Sequence, residues 1–255
     1  PILLVQPEVW AAADPDPSNR ALIAQGANDS NFLGRHFSTK LQFGTAGLRA
    51  PRGLGPARMN RVTVRVTARA IGLHLMDRGL QQSGVVIGYD ARPDADIYAL
   101  DTALLLTKLG VPCLLINDPC PTPVVVWHQK MRAAAGAIVV TASHNPAEDS
   151  GYKVYGSDGT QIRPPVDQEI ESLMNFSDLP GDEDLASEEE IEFLSGSAAV
   201  AAYIESVVPS GVSITSQMPF PQWAYTPLCG VGGAAMEAAC VRAGFPAPVR
   251  VDEQF

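Results

Sequence analysis

Hydrophobic positions along the chain follow two alternating patterns. Val85-Val-Ile-Gly88, residues 111–116 and Ala137-Ile-Val-Val140 are short, nearly unbroken apolar runs, while the stretches between them repeat apolar residues every three or four positions. The short runs suit strands buried on both faces, and the longer period suits helices packed on a sheet. Asn60 is placed to cap a helix running to about Arg78, with Val62, Val66, Arg69, Ala70 and Leu73 at helical spacing. Further helices are predicted over 94–109, 121–131, 165–175 and 196–208, and a fourth strand over 151–155. Strands alternating with helices predict an α/β fold: a mixed, largely parallel sheet with helices on both faces.

The two ends of the chain read differently. Asp14-Pro-Asp-Pro17 and the Asn/Asp/Ser cluster at 28–31 break residues 1–40 into a helical extension joined by turns. Residues 41–212 hold the main domain. Between Ser177 and Glu192 stand eight acidic residues and no basic one, which reads as a solvated linker or helix start. A second unit is expected from 213 to 255, with strands at 222–225 and 249–251 around a helix at 234–243. One βαβ unit is too small to bury its own sheet face. Together with the absence of an initial Met and the end at Asp252-Glu-Gln-Phe255, this predicts a piece of a longer protein.

Composition narrows the function classes. The 255 residues carry a net charge of −10, against a nucleic-acid partner, since phosphate backbones need a basic face. No apolar run reaches the roughly 18 residues of a membrane span, and no membrane partner is expected. Four cysteines without a CxxC pair, Cys113 and Cys240 lying among apolar neighbours, suit a reduced, cytoplasmic setting.

The sharpest chemical signal is Thr141-Ala-Ser143-His-Asn-Pro146, directly after a predicted buried strand. Open α/β sheets bind ligands outside the carboxyl ends of their strands. Proline pushes the preceding residue out of helical geometry, so Asn145-Pro146 holds Ser143 on a tight exposed turn. His144 beside it can donate a hydrogen bond to developing charge, and an ordinary Ser/Asn turn is the plainer alternative. No Gly-x-Ser-x-Gly elbow is present, which disfavours a serine hydrolase. Lys153, one of four lysines, lies ten residues further on a short strand, where composition alone suggests a solvated edge residue.

Three motifs in order carry a family resemblance: Phe43-Gly-Thr-Ala-Gly-Leu-Arg49, the Ser143 loop with Gly151-Tyr-Lys153, and Tyr225-Thr-Pro-Leu-Cys-Gly-Val-Gly-Gly233. From about Leu41 onward the chain resembles the α-D-phosphohexomutase superfamily, in its phosphoglucomutase/phosphomannomutase and phosphopentomutase-like branch. The resemblance implies that Ser143 carries a phosphoryl group between hydroxyls of a small-molecule phosphosugar, through a bisphosphorylated intermediate. Interconversion of glucose 1-phosphate and glucose 6-phosphate, with glucose 1,6-bisphosphate as intermediate and activator, is the first expectation; mannose and pentose phosphates are the alternatives.

The resemblance also implies roles for individual residues. Arg49 would hold phosphate oxygens, Lys153 would act as acid or base, His144 would assist, and Mg²⁺ would bind the phosphoserine. Thr45, Arg52, Asp149 and Arg163 are further candidates for support. The chain departs from the family where His is common at the position of Cys229. It also lacks the Asp-Gly-Asp-x-Asp-Arg run expected to supply the aspartate ligands for Mg²⁺, so the chain alone is expected to be inactive. Two rival readings remain. Gly230-Val-Gly232-Gly-Ala-Ala235 with Asp252 outlines a dinucleotide-binding fingerprint, although Pro227-Leu-Cys229 lengthens its turn. A non-catalytic paralogue is the other.

Overall fold

In the computed structural model, residues 2–44, 47–208 and 222–255 are described. Three short helices open the chain: α1 (Pro7–Ala13), α2 (Pro17–Gly26) and α3 (Ser30–Phe37). They are held by a packed aromatic pair and by one buried acid. Trp10 meets Phe37 edge-on at 6.0 Å, and both are fully buried. The Trp10 indole and the Asn19 amide both donate to the Asp14 carboxylate, the latter bond bridging α1 and α2.

The main unit has a six-stranded sheet in the order β1-β5-β4-β2-β3-β6. The strands are β1 (Leu48–Pro51), β2 (Val85–Tyr89), β3 (Cys113–Ile116), β4 (Gly136–Val140), β5 (Asp149–Tyr155) and β6 (Glu192–Leu194). β4, β2, β3 and β6 run parallel, while β5 runs antiparallel to both β4 and β1. Helices α4 (Arg61–Asp77), α5 (Ala95–Lys108), α6 (Thr122–Met131), α7 (Val166–Leu173) and α8 (Gly196–Val207) accompany it.

The unbroken apolar runs divide by pleat. Val85, Ile87, Ile138 and Val140 pack with α4, α5 and α7, whereas Val86, Ala137 and Val139 pack with α6 and α8. Alternate side chains of a strand point to opposite faces, so a strand covered on both sides must be apolar throughout. The mixed, largely parallel sheet expected from the periodicity is therefore present. Asn60 caps α4 as expected: its side-chain oxygen accepts from the Thr63 N–H at 2.9 Å.

The acidic stretch requires a correction. Short turns at Asp182–Asp184 and Glu188–Glu190 are solvated, but the segment is no free linker. Asp182 pairs at 2.8 Å with Arg65, whose side chain is fully buried, and Asp178 pairs with Arg69 at 3.1 Å. A guanidinium withdrawn from water must find an anion; buried Asp101, 3.3 Å away, supplies one and Asp182 of the acidic run a second. Its end then forms β6 beside β3, with Leu114 opposite Glu192. Burial also settles the thiols: Cys113 and Cys240 are buried as expected, Cys120 joins them, and burial pushes the Cys113 thiol up to about 12.

After residues 209–221, which lie outside the described set together with the start of the expected second unit, β7 (Ala224–Tyr225), α9 (Gly233–Arg242) and β8 (Val249–Arg250) form one βαβ unit with parallel strands. Among the described residues no helix is long and apolar enough to cross a membrane.

Gly151 marks the tightest point of the sheet near the Ser143 loop. A Cβ there would lie 2.5 Å from the Thr141 carbonyl oxygen and 2.9 Å from that of Leu48. Gly151→Ala is expected to destabilise the domain by about 1–3 kcal/mol through forced backbone separation. A lower urea midpoint at unchanged slope would show it, and an unchanged midpoint would contradict it.

Candidate functional site

β4 delivers the chain into the Thr141–Pro146 turn beside the carboxyl end of parallel β2. The Thr141 N–H donates to the Gly151 carbonyl at 3.0 Å, tying the turn's first residue to β5. The Thr141 hydroxyl donates to Asp90 at 2.6 Å and accepts from the Ser143 N–H at 3.0 Å. Ser143 has φ of 58°, a left-handed conformation uncommon for a residue with a Cβ. Ser143 and His144 are exposed, with the serine hydroxyl 3.5 Å from His144 Nδ1.

Below the turn lies an arginine that the sequence reading passed over. Arg92 Nε donates to Asp90 at 3.2 Å. Its Nη1 donates to the carbonyls of Pro146 and Asp149 at 2.6 and 3.0 Å, and its Nη2 to those of Ser143 and Asn145 at 3.0 and 2.8 Å. Asp90 accepts from the Arg92 N–H, the Arg92 guanidinium and Thr141. The Asn145 amide donates to Asp149 at 2.9 Å, which places Asp149 among the supports of the loop. Asp90-Ala-Arg92 follows β2 directly, at the crevice where α/β sheets take ligands, and that position was the available signal.

Arg49 lies on β1 opposite Gly151, and its Nη1 donates to the Asn145 side chain at 3.1 Å. Its Nε is buried and makes no hydrogen bond within the chain. Gly47, just before β1, has φ of +84°, and a Cβ there would sit 2.4 Å from the Tyr152 carbonyl oxygen. Only glycine lets this turn press against β5 and set Arg49 in place. The Phe43 N–H ahead of it donates to Glu171 of α7 at 3.0 Å. Thr45 lies outside the described residues.

Lys153 lies on β5 in register with Val139, half-buried. Burial and then the Arg49 charge pull its ammonium below the ordinary lysine value, with Asp90 opposing. A lysine so placed gives up its proton more readily than one in water.

Ser143, His144, Asn145 and Arg92 line a cleft of about 430 Å³. Its far wall is Leu228–Val231, with Cys229 exposed at φ of 61°. Arg49 and Lys153 stand on the neighbouring strands, outside that lining. Arg52 is placed elsewhere: it meets Asp94 at 3.5 Å and lines a separate cleft of about 690 Å³ beside the 14–19 turn. Arg163 is exposed, and its charge acts on Asp158. The remaining histidines are held structurally: His36 by the Leu54 carbonyl, His74 beside Glu169, and His128 by the Ala199 carbonyl.

Among the described residues no group of three His, Cys, Asp or Glu side chains is placed to hold a metal ion. The nearby carboxylates, Asp90 and Asp149, already accept from Thr141, Arg92 and Asn145. The described residues thus do not fit a divalent-cation site.

Comparison with known proteins places the chain in a family. The family model for phosphoglucomutase/phosphomannomutase, alpha/beta/alpha domain I, matches residues 40–179. The Mus musculus phosphopentomutase is 38% identical over 173 residues, covering 63% of this chain and 28% of that protein. The Saccharomyces cerevisiae phosphoribomutase is 31% identical over 221 residues, covering 80% and 35%. A phosphoglucomutase/phosphomannomutase family protein from Burkholderia thailandensis shares the fold with a TM-score of 0.65 at 21% identity, covering 82% of this chain and 43% of that one. The chain thus spans about a quarter to two fifths of the length of the curated relatives it matches.

The Thr141 hydroxyl is buried and bonded on both sides. Thr141→Val keeps the shape but leaves the Ser143 N–H without its acceptor and Asp90 Oδ2 with Arg92 Nε as its remaining donor. The expected loss is about 1–3 kcal/mol of stability, read from chemical denaturation.

Proposed function

The chain belongs to the phosphoglucomutase/phosphomannomutase family, and we propose that the protein it comes from is a phosphosugar mutase with Ser143 as its phosphoryl carrier. The observation that carries this is an exposed serine hydroxyl, fixed on a turn to which an arginine with a buried, unpartnered Nε is bonded through Asn145. A phosphoserine carries roughly −1.5 to −2 charges at neutral pH and needs fixed cationic partners. Arg49 supplies one, through a planar fork suited to phosphate oxygens.

In the proposed reaction a sugar hydroxyl attacks the phosphorus of phosphorylated Ser143. The bond from phosphorus to the serine oxygen breaks as the bond to the sugar oxygen forms. Neutral Lys153 accepts the proton of the attacking hydroxyl and passes it to the departing serine oxygen. The bisphosphorylated sugar then turns and returns its other phosphoryl group to Ser143, the same groups working in reverse. His144 would hydrogen-bond the serine oxygen as its charge changes. Catalysis of this kind is mainly positioning and charge stabilisation. A divalent cation such as Mg²⁺ would neutralise phosphoryl charge, bound through the phosphate on Ser143, with carboxylate ligands that the described residues do not supply.

Glucose 1-phosphate and glucose 6-phosphate are the first substrates to try, with glucose 1,6-bisphosphate as the phosphorylating agent. Relatives named phosphopentomutase and phosphoribomutase favour pentose phosphates as the second reading. Four free cysteines suit a reduced, cytoplasmic setting. The dinucleotide reading loses support from the turn after β7, since Gly230 stands five residues beyond Tyr225.

Two outcomes test the proposal in the full protein. Incubation with glucose 1,6-bisphosphate should leave a phosphoryl group on the Ser143 peptide, read by mass spectrometry. Ser143→Ala should abolish both that mark and turnover on every phosphosugar tried; retained turnover would end the reading.

Lys153 gives a pH test. Its folded value lies below the ordinary lysine value of 10.5, so the folded unphosphorylated state binds its proton less tightly than the unfolded chain. Its contribution to stability should therefore rise with pH from its lowered value up to 10.5, and be unfavourable below that window. Lys153→Met should remove this dependence without lowering stability at pH 7. It should also abolish the rise of transfer rate with pH, seen in single-turnover phosphorylation of Ser143.

A further inference from the structure

Two arginines approach the Ser143 turn, and their donors are used in opposite ways. A guanidinium has five N–H donors, and those of Arg92 make five bonds: one to Asp90 and four to loop carbonyls. Arg49 makes one bond within the site, to Asn145, and its buried Nε makes none. Arg92 side-chain exposure is 13%. Arg92 therefore has no donor to spare for a phosphate, although it lines the cleft, and Arg49 has several.

We propose that Arg92 is a positioning residue: by gathering the carbonyls of Ser143, Asn145, Pro146 and Asp149, it holds Ser143 left-handed and its hydroxyl in line for transfer. The inference rests on Ser143 being the phosphoryl carrier. Asp90 completes the device. It fixes the Arg92 fork on one side and, through the Thr141 hydroxyl, the Ser143 N–H on the other. Both halves of the turn are thus tied to one charge pair at the end of β2. No lysine can reproduce this, because an ammonium has three donors on one atom and cannot span four carbonyls.

Positioning and phosphate binding predict different losses. A residue that only aligns the carrier, when removed, costs turnover and leaves the affinity for the sugar phosphate nearly intact. A misplacement of about 1 Å at a reacting centre can cost about 100-fold in rate. Arg92→Met and Arg92→Lys in the full protein should lower kcat by about 100-fold and about 10-fold respectively, with KM within about threefold of wild type. Hydrogen exchange adds a readout that does not depend on turnover. The amides of Ser143, Asn145 and Asp149 bond within the turn, and they should exchange faster in Arg92→Met while those of β2 and β4 keep their rates.

Should Arg92→Met fail to fold, Arg92→Lys carries the same measurements. A rise in KM at unchanged kcat would make Arg92 a ligand-binding group and overturn the inference. Unchanged loop exchange would overturn it equally. If wild-type Ser143 accepts no phosphoryl group, the mutase reading falls instead, and the exchange comparison alone decides whether Arg92 holds the turn.

Discussion

A turn that leaves a buried strand and doubles back carries carbonyl groups that no sheet partner can satisfy. Buried or half-buried, each costs free energy unless a donor reaches it. Here four such carbonyls converge on one guanidinium, which is neutralised by the aspartate at the end of the adjacent parallel strand. The left-handed serine, of order 1–3 kcal/mol unfavourable by itself, persists because this network over-determines it. Remove the charge pair and the exposed hydroxyl has no fixed direction.

The sheet topology makes that convergence possible. β2 and β4 run parallel and adjacent, so their following segments emerge at one edge, and Asp90 meets Thr141 without a long connection. β5 starts at that edge and runs back antiparallel beside β4, leaving Lys153 opposite Val139, two residues inside the turn, while β1 adds Arg49 opposite Gly151. Arg49 and Lys153 repel each other before any anion arrives, which helps hold the lysine below its ordinary value.

Much of this was legible along the chain. The two-face apolar runs, the Asn60 cap and the Asn145-Pro146 turn rest on local rules that depend on few neighbours. The Ser143 loop and the Arg49 segment were visible as motifs. Arg92 was not, because an arginine three residues past a strand resembles any surface charge until its carbonyl partners, 51 to 57 residues away, are known. The edge strand β6 was hidden for a related reason: Glu192-Phe-Leu194 has little strand character, and pairing to β3 creates it. Arg52 and Asp149 show the limit of proximity along the sequence. Both stood near the motifs, yet one supports the loop and the other faces a different cleft.

β6 has a consequence for the fate of the folded molecule in crowded solution. A parallel sheet ending at β3 would offer a bare, greasy flank of amide and carbonyl groups to any extended chain nearby. Three residues drawn from the most acidic part of the polypeptide cover it, and Glu192 is clamped at 2.9 and 2.6 Å by Arg132. What remains outward is three residues long, carries Glu192 beside an exposed Phe193, and turns away at once into a helix, a poor template for another molecule to zip onto. The sheet thus ends in no long flat edge of the kind that templates fibrillar self-association.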